Sequence, residues 1–205
     1  MNNKIFEQLK ITSLEGIYPI GEDSELLSSA LFIPKNASCL DLGCGTGIQG
    51  ITMAKQGAKK ITFGDINPNA LENARINVLQ NHVKTRVSFV QTDVFSNVSE
   101  SFDVIAFNPP YVPSDDIQWI ETDGGKKGRK ILDRFLETVS DHLSPAGEVF
   151  FLQTSLNGTK KTEEILRKKG FRFEIICRQK LFFEELLVFH AQKNPKPADI
   201  RKQKK

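Results

Sequence analysis

The sequence is poor in cysteine, methionine and tryptophan: among 205 residues there are three Cys, two Met and one Trp. Cys39, Cys44 and Cys177 are too scattered for a disulfide framework, and no Cys-x-x-Cys pair offers a zinc site, so no metal is expected. No apolar run approaches the roughly 18–20 residues that cross a bilayer, so no membrane span is expected. The opening MNNKIFEQLKITSLEG lacks the apolar stretch and small-residue cleavage site of a secretory signal. These absences favour a reducing, cytoplasmic setting. Internal repeats and low-complexity segments are also missing before residue 191.

What is present is ordinary globular material, 39% apolar and 26% charged, enough to bury one core. The net charge of +3 is unevenly placed. Residues 191–205, AQKNPKPADIRKQKK, carry six Lys/Arg and one Asp, whereas the other 190 residues hold 22 basic and 24 acidic groups. The expectation is a single domain over 1–190 and a disordered basic tail over 191–205. A mildly acidic body argues against a general nucleic-acid binder. The tail reads as a solubilising segment or a weak RNA or ribosome contact.

Apolar runs alternate with helical patterns. Strands are expected at 37–42, 60–65, 86–91, 102–107, 148–153, 171–177 and 183–190. Helices are expected at 48–56, 68–80, 129–143 and 159–169, with Asn67 and Pro68 starting the second and Pro145-Ala146-Gly147 forming a turn after the third. Strand–helix alternation with short links predicts an α/β fold, a mostly parallel seven-stranded Rossmann-like sheet with helices on both faces. The final two strands are too close for a crossover and must form an antiparallel hairpin. Functional groups belong at the carboxyl ends of the parallel strands.

Three motifs fall there. Asp41-Leu42-Gly43-Cys44-Gly45-Thr46-Gly47 ends the first strand, and Gly43, Gly45 and Gly47 permit a tight turn and close approach of a ligand. The run 45–50 also matches Gly-x-Gly-x-x-Gly, with Asp65 about twenty residues on, as a dinucleotide site requires. Asp41 is expected to point into the mouth of the loop, where it would repel a pyrophosphate but suit the sulfonium and ammonium of S-adenosylmethionine. Asp65 ends the second strand, where a carboxylate can accept both ribose hydroxyls. Asp93 follows the third and could take the adenine amino group, with the Val94 amide donating to the ring.

The third motif, Asn108-Pro109-Pro110-Tyr111, ends the fourth strand. Its prolines stiffen the backbone and remove donors. That leaves the Asn108 side-chain oxygen and the Pro109 carbonyl as converging acceptors for a planar NH2 group, with Tyr111 offering a flat face. Such a receptor aims a poorly nucleophilic nitrogen at a methyl group and stabilises the charge that develops on it. His82, His142 and His190 are isolated and read as packing or surface residues. Nothing nearby marks Cys44 as reactive. Lys126, Lys127, Arg129 and Lys130 form a basic cluster, read as a solvated face or a grip on RNA phosphates.

In order and spacing, DLGCGTG, GDINPNAL, QTDV and NPPYVP resemble the class I methyltransferases of the HemK type, over about residues 14–190. Residues 16–24, GIYPIGEDS, the short segment before them, and GGKKGRKILDRF at 124–135 resemble the eukaryotic and archaeal release-factor glutamine methyltransferase branch. The resemblance implies a seven-stranded fold and S-adenosylmethionine as cofactor. Ser24 would contact its methionine end, Asp41 and Gly43 the methionine and sulfonium region, Asp65 the ribose, and Asp93 and Val94 the adenine, with Gly45, Gly47, Ile66 and Asn108 also among the cofactor contacts. Asn108 would receive the substrate amide in a pocket shaped by Pro109, Pro110 and Tyr111. The implied substrate is the glutamine of a Gly-Gly-Gln loop in a class I release factor, and the implied partner a small zinc-binding activator protein. One departure is Thr122 where the branch usually has Trp, with Trp119 three residues earlier. Other readings are an enzyme acting on an exocyclic amine of adenine or guanine in RNA or DNA, and, more remotely, a dinucleotide oxidoreductase.

Overall fold

The computed structural model describes residues 5–115 and 121–194. In chain order these form α1 (Glu22–Ala30), β1 (Ser38–Leu42), α2 (Ile48–Lys55), β2 (Lys60–Asp65), α3 (Pro68–Gln80), β3 (Arg86–Gln91), β4 (Phe102–Phe107), α4 (Lys130–Thr138), β5 (Leu143–Thr154), α5 (Thr159–Lys168), β6 (Phe171–Lys180) and β7 (Glu185–Lys193). They build one seven-stranded sheet in the order β3-β2-β1-β4-β5-β7-β6. Strands β3 to β5 are parallel; β7 runs antiparallel to both β5 and β6. The chain direction of strand addition reverses between β1 and β4, so their carboxyl ends flank the switch point where ligands of such sheets bind.

Side-chain alternation sorts the apolar residues into two layers. Phe102, Phe107, Phe135, Phe151 and Phe189 pack on the α4–α5 face. Leu27, Ile51, Met53, Phe63 and Phe150 pack on the α1–α3 face. Consecutive Phe150 and Phe151 thus serve opposite layers, as the two-residue period of a strand demands. α3 begins where expected: Asn67 caps it by accepting from the Asn69 amide at 2.9 Å, and Pro68 fills the first position.

Four expectations are corrected. α1 had not been foreseen, because its apolar positions are few and its N-cap is Gly21. The helix expected over 129–143 ends at Thr138; a 3₁₀ turn follows over Val139–His142, and Leu143 pairs with Phe102 as the first residue of β5. Pro145-Ala146-Gly147 is a bulge within β5, where the register shifts between Phe102 and Val104. Finally, β7 continues through Lys193, with Ala191 buried against Val149 and Phe173, so the ordered body passes the expected boundary at 190. Trp119 and the remaining tail, 195–205, lie outside the described residues.

Candidate active site

The glycine loop is built by close packing. Gly47 has φ +81° at the N-terminus of α2, and a Cβ there would lie 3.0 Å from that of Ala74. A Cβ on Gly50, one turn along, would collide with the Phe63 ring at 2.2 Å. These contacts press α2 and α3 against β2 and leave the loop's outer edge open. Behind the loop, Asp41 is 1% exposed and accepts the Gly50 amide at 2.8 Å. Burial holds its carboxyl well above the usual carboxylate range; the Gly50 bond offsets only part of that, and Asp65 adds a smaller repulsion. Asp41 therefore does not point into the loop's mouth. Its place in β1 turns it toward α2, so it and Gly47 support the wall, whereas Leu42, Gly43 and Gly45 form it.

The open edge borders a cavity of roughly 330 Å³, within the range of small-molecule sites. Asp65 lines it, taking the Gly45 amide on one carboxylate oxygen at 3.0 Å and the Asn67 amide on the other at 2.9 Å. Burial raises its pKa, opposed by these backbone donors. Both oxygens keep lone pairs for further donors such as ribose hydroxyls. Ile66 is exposed beside it. Val94 adopts a left-handed φ of +54° where the chain turns after β3. Asp93 reaches the cavity too, but is already held in a two-pronged ion pair by Arg134 of α4, at 3.0 and 2.9 Å. Arg134 was not among the expected site residues; its position on α4 is visible only in three dimensions.

At the other end the organising group is Asp23, which sequence reasoning passed over as part of the segment leading into the fold. It is 3% exposed. One oxygen takes the Ser24 amide at 2.7 Å and the Tyr18 hydroxyl at 3.3 Å; the other takes the Asn108 Nδ2 at 2.9 Å and the Tyr111 hydroxyl at 3.2 Å. A carboxylate can only accept, so it fixes which way the Asn108 amide faces. Asn108 lines the cavity, and its Oδ1 is buried with no hydrogen-bond partner. An unpaired buried acceptor costs about 1–3 kcal/mol, which a ligand donor would relieve. Burial and the Asp23 charge push Tyr18 up to about 12 and Tyr111 higher still, so both remain neutral donors.

Ser24, Gly43, Gly45, Asp65, Ile66, Asp93, Val94, Asn108, Pro109, Pro110 and Tyr111 all line the cavity. The other candidates fall away. Cys44 is buried and its thiol pKa is raised well above normal by burial, which disfavours the reactive thiolate. His142 stacks on Phe95, and His190 lies against Phe150 with its Nε2 2.7 Å from Glu148. Arg129 is not part of a solvated basic face: it is buried, paired with Asp133, and donates to the Asn157 carbonyl and Thr162 hydroxyl. Lys126, Lys127 and Lys130 remain exposed.

A glycine loop, a carboxylate at the end of the second strand and an unpaired amide oxygen at the switch point together define a class I methyltransferase site. Residues 8–183 match the family described as "Methyltransferase small domain", and the chain belongs to that family, in the HemK-type group that its motifs resemble. A Methanocaldococcus jannaschii protein, provisionally named as a protein N5-glutamine methyltransferase, is 44% identical over 191 residues, 90% of this chain and 96% of its own length. The human methyltransferase HEMK2 is 30% identical over 173 residues, covering 76% of this chain and 80% of that protein. Among solved structures, the E. cuniculi Mtq2–Trm112 complex, responsible for methylation of the eRF1 translation termination factor, matches with a TM-score of 0.70 and 27% identity. That match covers 87% of this chain and 99% of the other.

Proposed function

We propose that the chain methylates the side-chain amide of a glutamine in a peptide chain release factor, with S-adenosylmethionine as donor. The observation that carries this reading is the buried, unpaired Oδ1 of Asn108, a residue that lines the cavity and whose Nδ2 is fixed on Asp23. In this reading Asp65 offers lone pairs to the ribose, Asp93 and Val94 take the adenine, and Ser24 and the Gly43–Gly45 edge take the methionine end; that all of them line one cavity supports it. S-adenosylmethionine, when bound, supplies an electrophilic methyl group on a sulfonium.

The chain's residues do the rest by positioning. Asn108 Oδ1 and the Pro109 carbonyl accept the two N–H groups of the substrate amide and orient its nitrogen. The same acceptors stabilise the positive charge that grows on that nitrogen, a contribution present mainly in the transition state. The methylated nitrogen then releases its newly acidic proton to water, so no strong base is required. Pro110 and Tyr111 shape the slot in which the planar amide lies. The relatives' names, one a protein N5-glutamine methyltransferase and one a complex that methylates eRF1, support a release-factor substrate and a partner protein, in our reading a small zinc-binding activator. A cytoplasmic setting, in keeping with three free thiols, completes the proposal. Among the described residues no helix is long and apolar enough to cross a membrane.

The test is transfer of tritiated methyl groups to a release factor and to tRNA and rRNA in parallel, with and without a candidate activator. Label in the release factor alone supports the reading. Label confined to RNA replaces it with a nucleobase amine.

A further inference from the structure

The segment that brings Tyr18 and Asp23 to the cavity is held in an unusual way. Residues 9–14 belong to no helix or strand and run along α3, where Asn73 and Asn77 of the helix and Asn81 at its C-cap, four residues apart, meet them. Asn81 accepts the Lys10 amide at 2.9 Å and donates to the Lys10 carbonyl at 2.7 Å. Asn77 accepts the Thr12 amide at 3.0 Å and donates to the Thr12 carbonyl at 2.8 Å. Asn73 accepts the Leu14 amide at 2.8 Å and donates to the Thr12 carbonyl at 2.7 Å. All three side chains are buried.

The match of spacings explains the pattern. Four helical residues rise about 6 Å, and two extended residues advance about 6.6 Å. Asparagines four apart on α3 therefore present carboxamides to every second residue of an extended strap, in place of a strand edge. Asn77 has a further bond: its Nδ2 also donates to the Thr46 carbonyl in the glycine loop at 2.9 Å. A single fully buried side chain thus ties the strap to the loop. Beyond the strap, Gly16, Ile17 and Tyr18 stand on the cavity wall, followed by Asp23 and Ser24.

We propose that Asn73, Asn77 and Asn81 are positioning residues that hold residues 10–14 as the gate of the cofactor cavity. With the rungs made, the strap sets Tyr18, Asp23 and Ser24 against the cavity. With the rungs broken, that wall lifts and the cofactor or its demethylated product leaves. Each rung can exchange for water, whereas the packed wall opposite cannot open without exposing Phe63. The proposal rests on the reading of the cavity as a cofactor site.

Thr12→Pro removes the amide that Asn77 accepts, while Thr12→Ala keeps it. Both variants, with wild type, are compared for S-adenosylmethionine dissociation rate and affinity, for transfer rate at saturating cofactor, and for melting. Thr12→Pro releases the cofactor about tenfold faster, the effect of about one hydrogen bond, and Thr12→Ala behaves as wild type. The transfer rate at saturation stays within about twofold of wild type, because bound cofactor keeps the wall closed and Asp23 keeps its own bond to Asn108. Hydrogen exchange on the wild-type protein gives an independent reading: the amides of Lys10, Thr12 and Leu14 exchange more slowly when cofactor is bound. Unchanged release from a folded Thr12→Pro, or equal exchange with and without cofactor, overturns the gate. Failure of wild type to bind S-adenosylmethionine overturns the cofactor reading itself.

Discussion

The two walls of the cavity are made by opposite means. The wall of β1, α2, β2 and α3 is held by contact: Gly47 against Ala74, Gly50 against Phe63, and Phe63 stacked on Phe89 at 5.1 Å. The facing wall, of the N-terminal strap, α1 and the Asn108 loop, is held by polar groups meeting on Asp23 and on the asparagines of α3. Packing gives stiffness, because interiors tolerate neither voids nor overlaps. Hydrogen bonds to buried groups give orientation, and they can be exchanged. In the proposed reaction the difference separates the tasks: the packed wall shapes the cofactor's resting place, and the polar wall aims the reacting amide.

Substitutions can break the comparison at either wall. Asn108→Ala removes the aimed acceptor, and transfer should fall by roughly 10²–10³ while cofactor affinity stays nearly unchanged. Single-turnover rates and equilibrium titration read the two quantities separately; a parallel loss in both would mean that Asn108 shapes the resting site instead. Asp65→Ala should do the reverse, weakening S-adenosylmethionine binding about a hundredfold through loss of two charge-assisted bonds, as calorimetry would measure. An unchanged dissociation constant would put the ribose elsewhere.

Gly50→Ala tests the packed wall without touching a ligand group. A methyl at 2.2 Å from the Phe63 ring must displace it, which should cost about 1–3 kcal/mol in denaturant unfolding. A neutral result would show that α2 can shift freely.

Asp41→Asn should have a smaller effect. The folded carboxyl binds its proton more tightly than the unfolded one, so stability falls as pH rises from the unfolded pKa through the raised folded value. An Asn accepts the Gly50 amide without the charge, so melting of the variant should be less dependent on pH and no lower than wild type at pH 8. A steeper decline with pH in the variant would refute buried-charge strain. The smallest effect is expected from deleting 195–205, which begins after β7 and should leave turnover on isolated protein within about twofold.

Much of the fold was legible because β1 to β4 and α3 carry unambiguous signals. Runs such as 60–65 and 102–107 are apolar and bounded by turns, and Asn67-Pro68 marks a helix start. The cavity lining was legible where it falls on a strand end, as with Gly43, Asp65 and Asn108. Asp23, Asn73, Asn77 and Arg134 were not, because each acts across long sequence separations: Asp23 meets Asn108 from 85 residues away and Asn77 meets Thr12 from 65. Asparagines four apart on a helix also look like any polar helix face until a strap lies across them. Asp41 was placed in the ligand's mouth because its motif was read as one surface; alternation along β1 sends it to the other side.

The most direct measurement of the central claim is the location of the transferred methyl group. A release factor incubated with the protein and S-adenosylmethionine, digested and sequenced by tandem mass spectrometry, should carry one added methyl on a glutamine side-chain amide, and none when Asn108→Ala replaces wild type. A methyl on any other side chain, or on glutamine at the wild-type rate with Asn108→Ala, would contradict the amide clamp.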